Sequence, residues 1–469
     1  MKETKKYEES RQLHKEGFIR ESKVELEDNG KAPSISLTSD KKQDNKDVYT
    51  SSLLEKILHR DNMNEAFKKV VKNKGSHGID GLTTDELLSY LKENGANIRQ
   101  TLFDGTYAPL PVRRVEIPKD NGKKRQLGIP TVVDRVVQQS IAQVLSPIFE
   151  KTFSDNSFGF RLNRSAHDAL KRSQEYMNEG YTWIVDIDLA SYFDTVNHDT
   201  LIGLIYKEIK DIRVISLIRK YLNAGVMING VVNTTTLGVP QGGNLSPLLS
   251  NIMLNELDKE LTKRGLKFVR YADDCNIYVK SKKAADRVMQ SITRYIEQDL
   301  KLRVNTDKSK VGKPWKCKFL GYSFYPSKDG IKMRAHEKSI HKFKEKLKLL
   351  TGRSKIGNIE STYKKIKQLV VGWINYFKMA DMKSWMRNID EWLRRRIRMC
   401  YWKQWKKVST KFKNLQKLGI SKQKAWEFAN TRKGYWRIAK SPILQRSITN
   451  ARLEKAGLVS LLEIYTSKC

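Results

Sequence analysis

Apolar and polar positions change period several times along this 469-residue chain, and each change predicts an element. Trp183-Ile184-Val185-Asp186-Ile187-Asp188 reads as a buried strand ending in acid. Period two puts Ile184, Asp186 and Asp188 on one face. Phe268–Val279 reads as two short strands, rich in aromatic and β-branched residues, with Asp273 and Asp274 at the tip between them. Residues 113–130 predict a hairpin with Asp120-Asn121-Gly122 at its turn. Gly238–Pro247 is a Pro- and Gly-built turn, and an apolar helical run follows from Leu248 to Leu257. Ser246 is placed to cap that helix, with Pro247 at its first position. Further on, Trp385, Ile389, Trp392, Leu393, Ile397 and Cys400 recur on one face of a helix, which predicts core rather than a base-stacking platform. Residues 1–48 show no apolar periodicity and predict an extension, partly disordered or weakly helical.

Charge narrows the class. The net charge is +37, far beyond what solubility needs, and it points to a polyanionic partner, nucleic acid before membrane. No run of 18 apolar residues occurs, so no transmembrane helix and no membrane partner are expected. Nor does the N-terminus read as a secretory signal. The cysteines (Cys275, Cys317, Cys400, Cys469) form no C-x-x-C, which argues against a zinc ribbon or disulfide framework and favours a reducing cytoplasm. Residues 331–440 hold 31 Lys and Arg against 7 Asp and Glu, a net charge of +24, together with seven of the nine tryptophans. Basic and aromatic residues interleaved in this way suit a groove that tracks a phosphate backbone. Arg394, Arg395, Arg396 and Arg398 are the candidate phosphate contacts.

Adjacent aspartates at a tight turn repel one another unless cations offset them. Two hard, oxygen-liganded cations would do so, and two metals can clamp an in-line phosphoryl displacement. An Asp at the end of the 183–188 strand would complete such a site. Taken alone, the Asp273-Asp274 pair reads as a solvated turn, while Asp186 and Asp188 read equally well as helix caps or ion-pair partners and as metal ligands. The other motifs change that reading. Gly242 and Gly243 let backbone approach a ligand closely. Lys119, Lys123, Lys124 and Arg125 on the basic hairpin lie within reach of a triphosphate, though Lys123 and Lys124 read as solvated turn lysines.

The motifs run in order: Asn73–Gly81, the basic hairpin, Ser157–His167, the Asp188 strand, Pro240-Gln241-Gly242, Tyr271-Ala272-Asp273-Asp274, Asn305–Lys308 and Phe319–Tyr322. The series resembles the reverse transcriptases encoded by bacterial group II introns, also called intron maturases. Downstream, Gly372–Phe377 resembles that family's thumb, or X, domain. Leu418–Ile420 and Thr431–Trp436 resemble the segment leading through its DNA-binding region. The resemblance covers about residues 50 to 465.

The resemblance implies an α+β right-hand polymerase. Its parts would be an extension over 1–48, fingers and palm over 49–330, a helical thumb (maturase domain) over 331–415 and a short basic DNA-binding region over 416–469. It implies Asp188, Asp273 and Asp274 as the catalytic triad, with Asp188 and Asp273 as ligands of two Mg²⁺ ions and Mn²⁺ as the alternative. Phe193, five residues after Asp188, would be the steric gate against a ribose 2′-hydroxyl. Lys119 and Arg125 would clamp the incoming dNTP. Gln241 would contact the nascent pair or the nucleotide, with Gly242 allowing close approach. Lys308 would donate a proton to pyrophosphate, with Lys310 as the alternative. Phe319, Leu320, Gly321 and Tyr322 would form the primer grip. The implied partners are group II intron RNA, an RNA template with a DNA primer, target DNA and dNTPs. The implied roles are cDNA synthesis, splicing and retrohoming in a bacterial cytoplasm, on the nucleoid when DNA is bound. A host-adopted enzyme of repair or defence is the other reading, and Ala272 favours the intron-borne one. No histidine follows His341, so an H-N-H endonuclease domain is not expected.

Overall fold

The computed structural model describes residues 52–468 apart from 119–121, 123, 229–230, 234–235 and 355–356. The chain divides into units 1–46 and 47–469, and only the second holds described residues. The extension expected over 1–48 therefore lies outside the described residues, as does Lys119.

The fold is α+β. Its central sheet joins β3 (Trp183–Ile187), β6 (Lys267–Tyr271), β7 (Asp274–Val279) and β8 (Lys310–Gly312) in the order β6-β7-β3-β8. Every pairing in it is antiparallel. A second sheet has the order β2-β1-β4-β5, from β1 (Val112–Pro118), β2 (Lys124–Ile129), β4 (Val226–Ile228) and β5 (Val231–Asn233). The hairpin predicted over 113–130 is β1 and β2, and β4 runs parallel to β1. A third, two-stranded element pairs β9 (Tyr322–Ser327) with β10 (Gly330–Ala335).

Both faces of the central sheet are covered, and this explains its nearly continuous apolar strands. Val185, Ile187, Cys275 and Ile277 face a core that includes Leu249 and Met253 of the helix Ser246–Lys263. Ile184, Val269 and Tyr278 face a second core with Leu170 and Tyr176 of the helix Ala166–Asn178. That second core continues without a break through Tyr322, Phe324 and Phe343 into the helices Ile359–Phe377 and Lys383–Gln404. Each fully buried Leu, Ile or Phe contributes roughly 1.5–3 kcal/mol, so the central sheet and these C-terminal helices are held by the same apolar mass. Ile389, Leu393, Ile397 and Cys400 are buried, as the helical face in the sequence predicted.

The residues after 416 pack into this second core rather than standing apart. Leu453, Leu458, Leu461 and Tyr465 all belong to it. Buried Asp390 fixes the last helix, Leu461–Thr466, at its N-terminal end. Its carboxylate accepts from the Ser460 hydroxyl at 3.0 Å and from the N–H groups of Leu461 and Leu462 at 2.8 and 3.0 Å. Otherwise unpaired donors of a helix start are thereby satisfied by a charge 70 residues away in sequence. Among the described residues no helix is long and apolar enough to cross a membrane.

Asp390→Ala should lower stability by about 3 kcal/mol, because buried N–H groups lose a charged acceptor. Urea unfolding followed by tryptophan fluorescence measures this. An unchanged midpoint would show that the contact does not hold the C-terminal segment.

Candidate active site

The turn between β6 and β7 places Asp273 at its tip and Asp274 at the first position of β7. Ala272 takes φ +56°, the left-handed region, which costs a non-glycine residue roughly 1–2 kcal/mol. Buried Arg270 holds it there. Its Nη1 donates to the Ala272 carbonyl at 3.0 Å and to Asn251 Oδ1 at 3.1 Å. Nε and Nη2 donate to the two oxygens of buried Asp258 at 2.7 and 2.5 Å. Asn251 in turn donates to the Gly159 carbonyl at 2.9 Å. Gly159 lies so close beneath the turn that an added Cβ would overlap the Ala272 nitrogen.

Asp188 follows the last residue of β3, and the 305–309 loop clasps it. Its N–H donates to Ser309 Oγ at 3.0 Å, and its carbonyl accepts from the Asn305 N–H at 2.8 Å. Lys308 Nζ lies 3.1 Å from Asp188 Oδ2. Asp186 sits one strand step deeper, opposite Asn276 on β7 and Lys310 on β8. Burial pushes its carboxyl up to about 6, opposed by the Lys310 charge and reinforced by Asp188. Desolvation and the charges of Asp273, Asp186 and Asp188 also push Asp274 up to about 6.

These carboxylates are hard oxygen donors whose negative charge Lys308 and Lys310 offset only in part, which suits a divalent cation. Among the described residues, no three His, Cys, Asp or Glu side chains converge closely enough to hold an ion unaided. Mg²⁺ characteristically binds through one or two carboxylates plus substrate phosphates, so the donor set fits an ion completed by substrate.

The segment after Asp188 and the Gln241 loop border a cavity of about 340 Å³, lined among others by Arg114, Gln126, Gly128, Phe193, Asp194 and Gln241. Arg125 Nε donates to Gln241 Oε1 at 3.0 Å, and the Gly128 N–H donates to the Gln241 carbonyl at 2.8 Å. Gly242, at φ +129°, allows this approach, since a Cβ there would lie 2.6 Å from the Gly128 oxygen. Arg114 was missed in the sequence. Its signal was strand parity, because Val112, Arg114 and Glu116 share one face of β1 and Arg114 pairs opposite Gly128. Ser246 does not cap its helix. It is the first helical residue, and its hydroxyl donates to the Pro240 carbonyl at 2.6 Å, bracing the loop instead.

Phe319–Tyr322 form a tight turn with reciprocal backbone bonds of 3.0 and 2.8 Å and two left-handed central residues, Leu320 and Gly321. Phe319 and Tyr322 are buried, so the turn offers outward its backbone and half-buried Leu320. The motif at Gly372–Phe377 secures it. Tyr376 Oη donates to the Leu320 carbonyl at 2.9 Å, and the Tyr322 ring packs 4.9 Å from that of Phe377.

The arginine run is used mostly inward. Arg395 donates to the Trp436 carbonyl at 2.8 and 3.2 Å and lies 3.8 Å over its ring. Arg396 donates to Thr351 Oγ1 at 2.6 Å. Arg398 is buried, bonded to the Ile448 carbonyl and Asn450 Oδ1, both at 2.8 Å, which leaves it a strut rather than a phosphate contact. Arg394 alone of the four has no hydrogen-bond or ion-pair partner among the described residues.

Residues 117–324 match the family model described as reverse transcriptase (RNA-dependent DNA polymerase), and residues 340–419 match the group II intron maturase-specific domain. Protein YkfC of Escherichia coli is 37% identical over 299 residues, covering 55% of this chain and 78% of that protein. The group II intron-encoded protein LtrA of Lactococcus lactis is 42% identical over 229 residues, covering 49% of this chain and 38% of LtrA. A putative COX1/OXI3 intron 2 protein of Saccharomyces cerevisiae is 38% identical over 203 residues, 42% of this chain and 23% of that protein. A solved partial Cas6-RT-Cas1–Cas2 complex aligns over 53% of this chain and 43% of that chain, at 24% identity and a TM-score of 0.34, too low to carry an argument. Two family models in tandem and a relative matched over most of its length place this chain in the group II intron reverse transcriptase/maturase family, whose enzymes are RNA-directed DNA polymerases.

Proposed function

We propose that this chain copies group II intron RNA into DNA by two-cation nucleotidyl transfer at Asp188, Asp273 and Asp274, and that it also binds intron RNA to promote splicing and retrohoming. The observation that carries the catalytic part is the crowding of carboxylates at the β6–β7 turn and the end of β3, where burial and the like charges of Asp273, Asp186 and Asp188 push Asp274 up to about 6. Asp188 and Asp273 would hold the cations, Mg²⁺ first and Mn²⁺ as the alternative. When bound, such ions favour ionisation of the primer 3′-hydroxyl and offset charge on the triphosphate.

The protein's own part is placement and charge. Arg125, oriented by Gln241, meets the triphosphate, with Lys119 as its partner from the same hairpin. Phe193 closes the ribose side of the cavity and excludes a 2′-hydroxyl. Lys308, already beside Asp188, is placed to protonate the leaving pyrophosphate. The Phe319–Tyr322 turn, tied to the thumb through Tyr376, holds the primer end. Arg394 is the candidate phosphate contact left on the arginine run. Base pairing with the template chooses each nucleotide, so no side chain needs to read a base.

Primer extension on an RNA template with a DNA primer, dNTPs and Mg²⁺ tests the reading. Asp273→Ala/Asp274→Ala should reduce incorporation by at least about a thousandfold, the equivalent of several kcal/mol of lost charge stabilisation. Splicing of flanking intron RNA should survive in that variant. Undiminished synthesis by the double variant would refute the assignment. Phe193→Ala should raise ribonucleotide incorporation by about tenfold or more, and an unchanged ratio of ribo- to deoxynucleotide use would remove the gate assignment.

A further inference from the structure

The gate residue Phe193 is not rigid by itself. It lies on a four-residue helix, Tyr192–Thr195, that starts from left-handed Ser191 at φ +47°. What sits across from it is the loop leading to Pro240 and Gln241. The Gly238 N–H donates to the Val196 carbonyl at 2.8 Å, and the Val239 N–H donates to the Phe193 carbonyl at 2.7 Å. Asn197 and Leu237 form an antiparallel bridge beside them. Gly238 takes φ +96°, and a Cβ there would lie 3.0 Å from the Phe193 oxygen. Two walls of the nucleotide cavity are therefore zipped together along their backbones.

His198 stands at the end of that zip. It is buried, the first residue of the helix His198–Glu208, which Asn197 caps by accepting from the Thr200 N–H at 2.9 Å. His198 Nε2 lies 2.7 Å from the Gly238 carbonyl oxygen. A carbonyl only accepts, so Nε2 carries the proton. Nδ1 lies 3.0 Å from Asn223 Oδ1, at the end of the helix Ile212–Asn223. Exchanging the oxygen and nitrogen of that carboxamide gives Nδ1 an N–H to accept from while Nε2 donates to Gly238. The ring thus ties Gly238 to a second helix and fixes how far the loop can retreat from Phe193.

We infer that His198 is a positioning residue for sugar discrimination: through Gly238 it sets the gap between the Phe193 gate and the Gln241 loop. The inference rests on the gate reading of Phe193. A buried carbonyl deprived of its donor is costly, and a loop can relieve that cost by moving. Here movement widens the cavity on the side where a 2′-hydroxyl would sit.

The test compares kcat/KM for one dNTP and the matching rNTP in wild type, His198→Leu, His198→Gln, Asn223→Ala and Phe193→Ala, with melting curves for each. His198→Leu should lower the deoxy/ribo ratio by about tenfold, the effect of one lost buried hydrogen bond. The change should appear mainly as a lower KM for the rNTP. His198→Gln, which retains a donor at the same reach, should restore the ratio. Asn223 is exposed, so its alanine variant should fold, and it should relax the ratio in the same direction. Should His198→Leu fail to fold, Asn223→Ala and His198→Gln decide the question. Wild-type ratios in His198→Leu and Asn223→Ala beside a relaxed Phe193→Ala would overturn this inference alone. Equal losses for both nucleotides, with the ratio unmoved, would show a merely structural role and also overturn it. An unmoved ratio in Phe193→Ala would instead overturn the gate reading.

Discussion

Two aspartates at the tip of one hairpin repel each other and their acidic neighbours, and the fold must hold them together all the same. It does so from below. Arg270 spends its guanidinium on Asp258, Asn251 and the Ala272 carbonyl, all in the interior. The pair Arg270–Asp258 is fully buried, so its worth lies less in net stability than in fixing one geometry. Ala272 is kept left-handed, and Gly159 lets the supporting loop press against it. Asp273 then projects from a turn that has little freedom to relax away from its like-charged neighbours.

The rest of the site is built outward from that turn by backbone contacts more than by side chains. Asp188 is clasped by the 305–309 loop, the Gln241 loop is hydrogen-bonded to Gly128 on the fingers hairpin, and the Phe193 segment is zipped to Gly238 and Val239. The thumb joins through the second apolar core and through Tyr376, whose hydroxyl reaches the Leu320 carbonyl. A shift of the thumb helix is therefore felt at the proposed primer grip directly.

The central strands were legible because their apolar runs are short, acid-terminated and bounded by turns. The catalytic candidates Asp188, Asp273 and Asp274 stood out because carboxylates at strand ends and turn tips are poorly placed for packing. Arg270 was not legible. Its partner Asp258 lies on the Ser246–Lys263 helix, and only the docking of that helix brings the charges together. β4 and β5 span three residues each, too short for a period to show. The run at Arg394–Arg398 shows the limit of reading charge as surface. A guanidinium five donors wide also satisfies buried carbonyls, and Arg398 does so at Ile448. Ser246 carried a capping signature, yet the carbonyl nearest to it was Pro240 of its own loop.

If catalysis depends on the position of this turn, Gly159→Ala should slow it. The added methyl would push the Ala272 nitrogen outward without touching a carboxylate. Single-nucleotide addition at saturating dNTP, measured beside primer–template affinity, separates placement from binding. The rate should fall by about a hundredfold, the scale of an ångström's misplacement, with affinity for primer–template retained. A folded Gly159→Ala enzyme that adds nucleotides at the wild-type rate would contradict it.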